Sequence, residues 1–159
     1  MTFLVVDPPI VVDASVAVGA ILGEPSREDT LFGWATSGRL LLAPGGFWVE
    51  VANALIRGRR LSLGDVLGLM TMLRGAGIEL AERGFGGLEA ALVLADRHTL
   101  TVYDATYLWL AMDVDGELAT FDTALIRAAK AEGVELAIRA WTPEHPPRGR
   151  VSRLEGTGR

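Results

Sequence analysis

Several residue types are absent or scarce in this chain of 159 residues. It has no cysteine, which excludes disulfides, zinc–thiolate sites and a cysteine nucleophile. Lys130 is the only lysine beside 14 arginines, and the two histidines, His98 and His145, lie far apart in sequence. The longest stretches without charge have ten residues, whereas a helix across a bilayer needs about twenty. We therefore expect a protein that does not bind or span a membrane. The absence of cysteine agrees with an expected location in the cytoplasm.

Length and composition favour one globular domain. Apolar residues make up 50% of the chain and charged residues 22%, which excludes a wholly disordered protein. The net charge of −5 argues against a broad electrostatic grip on nucleic acid but leaves room for a local basic patch. The mean hydropathy of +0.31 is high for a small soluble domain, so we expect apolar surface in an interface, such as that of a homodimer.

Short apolar runs alternate with longer segments of helical periodicity. The runs predict five strands, near residues 10–13, 40–43, 77–80, 117–120 and 134–138. One of the intervening segments, 47–60, is predicted as a single helix. Such alternation is typical of an α/β fold with a parallel sheet covered by helices on both faces. Proline, glycine and arginine dominate after the last strand, so residues 143–159 are predicted to be a flexible tail.

Four carboxylates stand where strands or turns lead into helices: Asp13, Glu50, Asp104 and Asp122. Asp13 ends one predicted strand and Asp122 follows another, at the edge where open parallel sheets bind ligands. Asp13, Asp104 and Asp122 could instead serve only as helix N-caps. Glu50 is harder to explain in this way, because its neighbours are apolar and a lone buried carboxylate is costly.

Clustered carboxylates repel one another, and a divalent cation removes that conflict. A ligand set made only of oxygen favours Mg²⁺ or Mn²⁺ over zinc. Such an ion can bridge a substrate phosphate and lower the pKa of a bound water. The residues therefore predict hydrolysis of a phosphate ester by a metal-activated water, without a covalent protein nucleophile.

Other polar residues have a functional and a structural interpretation. Ser15 and Thr120 could orient the carboxylates or cap helices, and Asn53 lies one turn after Glu50 on the same helix face. A basic group, Arg57, Arg59 and Arg60, could contact an RNA backbone. It could equally interact with the dipole at a helix end. His98 is expected to be structural.

Four segments together resemble the motifs of PIN-domain nucleases. They are residues 11–18, 50–55, 101–111 and 118–122, and their order and spacing agree with that family over residues 9–142. The Asp13-Ala14-Ser15 opening and the chain length are most similar to VapC-type toxins of toxin–antitoxin pairs. The resemblance implies a three-layer α/β/α sandwich, with 9–142 as the PIN-like nuclease domain.

The resemblance also implies an activity and partners. We expect a Mg²⁺- or Mn²⁺-dependent endoribonuclease that forms a homodimer and is inhibited by a cognate antitoxin protein. Carried over by position, the four carboxylates would bind the metal, with Ser15, Asn53 and Thr120 in support. Two alternatives stay open: a non-catalytic module that binds a metal or a partner, and a phosphatase with an aspartate nucleophile. The phosphatase commonly has a second aspartate two residues on, where this chain has Ser15.

Overall fold

Four short parallel strands form the sheet. The computed structural model describes residues 7–24 and 27–138, so residues 139–142 of the predicted domain and the whole predicted tail, 143–159, lie outside the described residues. The strands are β1 (Ile10–Val12), β2 (Leu41–Ala43), β3 (Glu79–Leu80) and β4 (Glu117–Ala119). They lie in the order β3-β2-β1-β4, and every neighbouring pair is parallel. The prediction of a parallel sheet is confirmed.

The central strand β1 is a run of three β-branched residues with no exposed surface. Complete burial is typical of a parallel strand that has helices on both faces. Val11 pairs with Leu42 of β2 on one side and with Leu118 of β4 on the other. The residues that follow β1 and β4 therefore emerge side by side.

The fifth predicted strand, 134–138, forms only a single parallel bridge between Leu136 and Leu118. The Leu118 amide donates to the Glu135 carbonyl at 2.8 Å, and the Ala137 amide donates to the Leu118 carbonyl at 3.0 Å. The chain bends at Ala137 and Ile138, so a second pair cannot form. This segment therefore pairs with β4 at one position only, and the predicted length of a full strand was wrong.

Seven α-helices surround the sheet in the described ranges: α1 (Ala14–Ile21), α2 (Arg27–Thr36), α3 (Phe47–Asn53), α4 (Leu63–Arg74), α5 (Gly84–His98), α6 (Val102–Asp113) and α7 (Thr123–Ala131). Helix α1 packs against α2, α3 and α4, whereas α6 packs against α5, α7, β1 and β4. The two groups of helices form the outer layers of the expected α/β/α sandwich. None of the helices in the described ranges is long and apolar enough to cross a membrane.

The segment 47–60 is not the single α-helix that its sequence predicts. Helix α3 ends at Asn53 and continues as a π-helical turn over Ala54–Gly58. In this turn the Arg59 amide donates to the Ala54 carbonyl at 3.1 Å. The chain then leaves the helix through Arg60, which has a left-handed φ of 55°. A π turn holds one more residue than an α turn, so the side chains after Asn53 are rotated away from their α-helical positions.

Candidate active site

Asp13 lies at the centre of the site, directly after β1 and before the first residue of α1. Only 3% of its surface is exposed. Its Oδ2 atom accepts hydrogen bonds from Ser15 Oγ at 2.5 Å and from Thr120 Oγ1 at 2.8 Å. The expected helix-capping bond from its side chain is absent, so the carboxylate is oriented by two hydroxyl groups instead.

The two hydroxyl groups reach Asp13 because β1 and β4 are neighbours in the sheet. Thr120 directly follows β4, and its Oγ1 atom also accepts from the Asp122 amide at 3.0 Å. Ser15 Oγ accepts from the Phe121 amide at 3.3 Å. These bonds join the start of α1 to the loop after β4, and they hold the buried carboxylate between the two segments.

Glu50 reaches the site from the first turn of its helix, α3, and is half-buried. Its Oε2 atom accepts a hydrogen bond from the Tyr107 hydroxyl at 2.8 Å. Tyr107 belongs to α6 and has no exposed surface. Tyr107 was not among the predicted site residues, although its position three residues after Asp104 places both on one side of α6.

Asp104 is the third residue of α6, not the residue that opens it. Thr101 is the N-cap, and its Oγ1 atom accepts from the Asp104 amide at 3.1 Å. The same hydroxyl donates to Asp104 Oδ2 at 2.7 Å. The interpretation of Asp104 as a cap is therefore wrong, because Thr101 fills that role. The other carboxylate oxygen of Asp104, Oδ1, takes no part in hydrogen bonds at the helix end.

Electrostatic effects connect these three acids. Burial raises the pKa of Asp13, the charge of Asp104 raises it further, and the hydrogen bonds from Ser15 and Thr120 lower it. Burial also raises the pKa of Glu50, as do the charges of Asp13 and Asp104, while the bond from Tyr107 lowers it. The charge of Asp104 thus penalises ionisation of both other carboxylates, and the charge of Asp13 penalises ionisation of Glu50.

The Tyr107 hydroxyl is protonated at neutral pH and can therefore donate a hydrogen bond. Burial is the main cause that raises the pKa of its hydroxyl, and the charge of Glu50 and the bond to it act in the same direction. A protonated phenol can donate to a carboxylate, and such bonds to a charged group are stronger than bonds between neutral groups. The bond therefore stabilises the ionised form of Glu50.

The side chains of two predicted site residues make no hydrogen bond to the three acids within the described ranges. Asp122 is exposed, and its Oδ1 atom accepts from the Leu125 amide at 2.8 Å as the N-cap of α7. The part of the chain that the structure describes shows no hydrogen bond between Asp122 and any other acid. Asn53 is exposed at the end of α3, where its side chain makes no hydrogen bond to the described residues.

A groove with a volume of about 390 Å³ opens beside the acids. Its lining includes Ser15 and Glu50 as well as Gly58 and Arg59. Arg59 also forms an ion pair of 3.1 Å with Glu24, and its side chain is 53% exposed. Arg57 and Arg60 are exposed but are not part of this lining. Of the predicted basic group, Arg59 alone lines the groove with an acid.

The donor atoms suit a hard cation that keeps part of its hydration shell. Among the described residues, no three acidic or histidine side chains converge into a ready-made metal cage. Mg²⁺ usually binds through one or two carboxylates and retains several waters, so it does not need such a cage. Glu50 Oε1 and Asp104 Oδ1 accept no hydrogen bond within the described ranges, and this leaves one oxygen of each carboxylate for an ion.

Comparisons with known proteins agree with this geometry. A family model described as PIN domain matches residues 10–131. A search of curated proteins gave no match. Among solved structures, the chain is similar to PAE2754 from Pyrobaculum aerophilum, with a TM-score of 0.61 and 21% identity over 79% of this chain and 83% of that one. It is also similar to Mycobacterium tuberculosis VapC20, described as a sarcin–ricin loop cleaving toxin, with a TM-score of 0.60 and 17% identity over 75% of this chain and 94% of that one.

Proposed function

The chain belongs to the PIN domain family, and from that premise we propose that it is a Mg²⁺- or Mn²⁺-dependent endoribonuclease. The observation that carries the proposal is the grouping of three carboxylates at the carboxyl edge of the sheet, where the charge of Asp104 acts on Asp13 and Glu50 and the charge of Asp13 acts on Glu50. A buried carboxylate with a raised pKa, next to two others, is unfavourable for folding alone. Such an arrangement is typical of a functional site.

In this proposal the three acids hold the divalent cation, and Asp122 contributes from its position after β4. The bound ion would supply neutralisation of the acids, contact with the substrate phosphate and a lowered pKa of water. Ser15 and Thr120 fix the orientation of Asp13 through its Oδ2 atom. Burial keeps that orientation rigid, and rigid positioning of the reacting groups is a large part of catalysis of phosphate-ester chemistry.

The groove gives the substrate a path to the acids. An RNA strand carries negative charge, and the net charge of −5 would repel it unless a cation faces it locally. Arg59 lines the groove together with Glu50, and a guanidinium group binds phosphate in a bidentate manner. We propose that Arg59 holds a phosphate that flanks the scissile bond, with Arg57 and Arg60 as outer contacts and Asn53 as a polar contact at the helix end.

A finer proposal concerns the biological class. VapC20 is described as a toxin that cleaves the sarcin–ricin loop, and its fold likeness to this chain supports a toxin that acts on RNA in the cytoplasm. A toxin of this kind is held inactive by a cognate antitoxin. Several large apolar side chains are exposed, among them Val49 at 75%, Phe85 at 72% and Leu63 at 68%. Apolar surface of this extent fits contact with the antitoxin and with a second copy of the chain.

An RNA cleavage assay tests the proposal. Purified protein, separated from any antitoxin, should cleave RNA in Mg²⁺ or Mn²⁺ and stop when EDTA is added. Asp13→Asn should abolish cleavage, whereas Asp96→Asn, a change of an exposed aspartate on α5, should not. Full cleavage in EDTA would contradict the metal-dependent mechanism. Binding of Mn²⁺ without cleavage of any RNA would instead favour a non-catalytic metal-binding module.

A further inference from the structure

The Tyr107 hydroxyl lies between two of the acid-bearing segments. It donates to Glu50 Oε2 at 2.8 Å, and it also has a hydrogen-bond interaction with the backbone of Ala14. Ala14 directly follows Asp13 and begins α1. One oxygen atom of α6 thus contacts both the carboxylate of Glu50 and the backbone that carries Asp13.

The aromatic ring holds this hydroxyl in place. Tyr107 has no exposed surface and is the largest fully buried side chain in the described part of the structure. Its neighbours along α6, Leu108 and Leu110, are buried in the same core. A rigid ring with a single polar atom at its tip leaves the hydroxyl little freedom, so its bond to Glu50 is pre-formed.

The bond from Tyr107 also determines which carboxylate oxygen of Glu50 remains available to a cation. Tyr107 binds Oε2, while Oε1 accepts no hydrogen bond within the described ranges. Glu50 lines the groove beside Ser15. Without a donor on Oε2, the carboxylate would be free to rotate or to turn away from Asp13 and Asp104, whose charges repel it.

We propose that Tyr107 is a positioning residue that fixes Glu50 with one oxygen directed to the bound cation, so that it sets the affinity of the site for that cation. This inference rests on the proposed function, because it assigns Glu50 to the metal. Outer-shell hydrogen bonds of this kind orient the ligands of metal sites, and their loss typically weakens metal binding about 10–100-fold.

The variant Tyr107→Phe tests the proposal, since it removes only the hydroxyl and keeps the ring in the core. We expect the dissociation constant of Mn²⁺, measured from the electron paramagnetic resonance signal of the free ion, to rise at least about tenfold. The matched control is Tyr103→Phe. Tyr103 lies on the same helix one turn earlier and is 68% exposed, so its loss of a hydroxyl should leave the dissociation constant unchanged.

Activity gives a second readout that a purely structural role would not produce. The concentration of Mn²⁺ needed for half-maximal RNA cleavage should rise in Tyr107→Phe by the same factor as the dissociation constant. At saturating Mn²⁺, kcat should return to within about twofold of the wild-type value, because the defect lies in holding the ion. Circular dichroism should show the same folded state for both proteins.

Each other result contradicts a specific statement. Wild-type affinity for Mn²⁺ in Tyr107→Phe would overturn the positioning role and leave the proposed function standing. The same holds for a loss of kcat that saturating Mn²⁺ does not restore. If the Tyr107→Phe protein does not fold, the hydroxyl is required for the stability of the fold, and this result would also overturn the positioning role. A wild-type protein that binds no Mn²⁺ would refute the proposed function itself.

Discussion

Replacing Asp13 by asparagine should remove activity without reducing the stability of the metal-free protein. Asp13 is 3% exposed, and its pKa is raised by burial and by the charge of Asp104. Burial and the charge of Asp104 therefore both disfavour the ionised form of this carboxylate in the folded protein. Asparagine has nearly the same shape and no charge, and its side-chain oxygen can still accept from Ser15 and Thr120.

The expected change in the free energy of unfolding on Asp13→Asn is the sum of two opposing contributions. A hydrogen bond to a charged group contributes about 1.5–3 kcal/mol and one between neutral groups about 0.5–1.5 kcal/mol, so two bonds lose roughly 2–3 kcal/mol in total. Removing the buried charge ends both causes that raise the pKa of Asp13, which are its burial and the repulsion from Asp104. We expect these terms to balance or to favour asparagine by about 1 kcal/mol, which is about 2–4 °C in Tm for a chain of this size.

Thermal unfolding with and without metal measures both sides of this prediction. In EDTA, Asp13→Asn should melt at or slightly above the wild-type temperature. At a Mg²⁺ concentration of about 100 times its dissociation constant, the wild type should gain about 2.7 kcal/mol, and the order should reverse because the variant gains little. Asp96→Asn is the control and should follow the wild type in both conditions.

The pH dependence has a definite sign. Because the folded pKa of Asp13 is raised, the ionised carboxylate destabilises the metal-free fold at pH values above that pKa. This cost declines once the pH falls below the raised folded pKa and is gone below the lower pKa of the unfolded chain, so the wild type and Asp13→Asn should converge in stability toward acidic pH. A variant that unfolds in EDTA at neutral pH would refute this reasoning and would make Asp13 a structural residue.

Three further changes test the surroundings of the site. Thr120→Val removes a donor to the buried Asp13 and should reduce the free energy of unfolding by about 1.5–3 kcal/mol in urea titrations, whereas Thr71→Val on the exposed face of α4 should change it far less. A triple alanine variant at Arg57, Arg59 and Arg60 should bind RNA more weakly, and its affinity should depend less steeply on salt concentration. Arg59→Ala alone should lower by about 1 the slope of the logarithm of the RNA binding constant against the logarithm of the salt concentration. An unchanged slope would show that Arg59 does not contact the RNA. Gly87→Ala should destabilise the fold by about 1–3 kcal/mol, because its Cβ would lie 2.7 Å from Arg83 Cβ and 2.9 Å from the Trp109 ring, whereas Gly86→Ala, with open space at its Cβ, should not.

Local sequence signals were sufficient for most of the secondary structure. The β-branched run of Ile10–Val12 could hardly form anything but a buried strand, and Ser62 marks the start of α4 as its observed N-cap. The prediction of secondary structure failed where one local sequence pattern is compatible with more than one structure. The helical periodicity of 47–60 does not distinguish an α-helix from one that widens into a π turn at Ala54, because the apolar residues repeat in nearly the same way.

Contacts between residues distant in sequence could not be read in this way. Thr120 and Asp13 are 107 positions apart, and Tyr107 and Glu50 are 57 apart. Thr120 was selected only as one of several polar residues near an acid, and Tyr107 was not selected at all. A buried tyrosine in an apolar helix has the same sequence pattern as any core residue, and only the packing of α6 against β1 reveals what its hydroxyl contacts.

The sequence by itself determined which segments become strands and helices, and it placed each acid at the end of one of them, because these features depend on the residues within a few positions. The tertiary structure decided which acids meet. The order β3-β2-β1-β4 puts Asp13 beside Thr120, the packing of α6 brings Asp104 and Tyr107 close to Glu50, and Asp122 is held as the cap of α7. Strand order and helix packing arise from the burial of apolar surface across the whole domain, so no local stretch of sequence contains them.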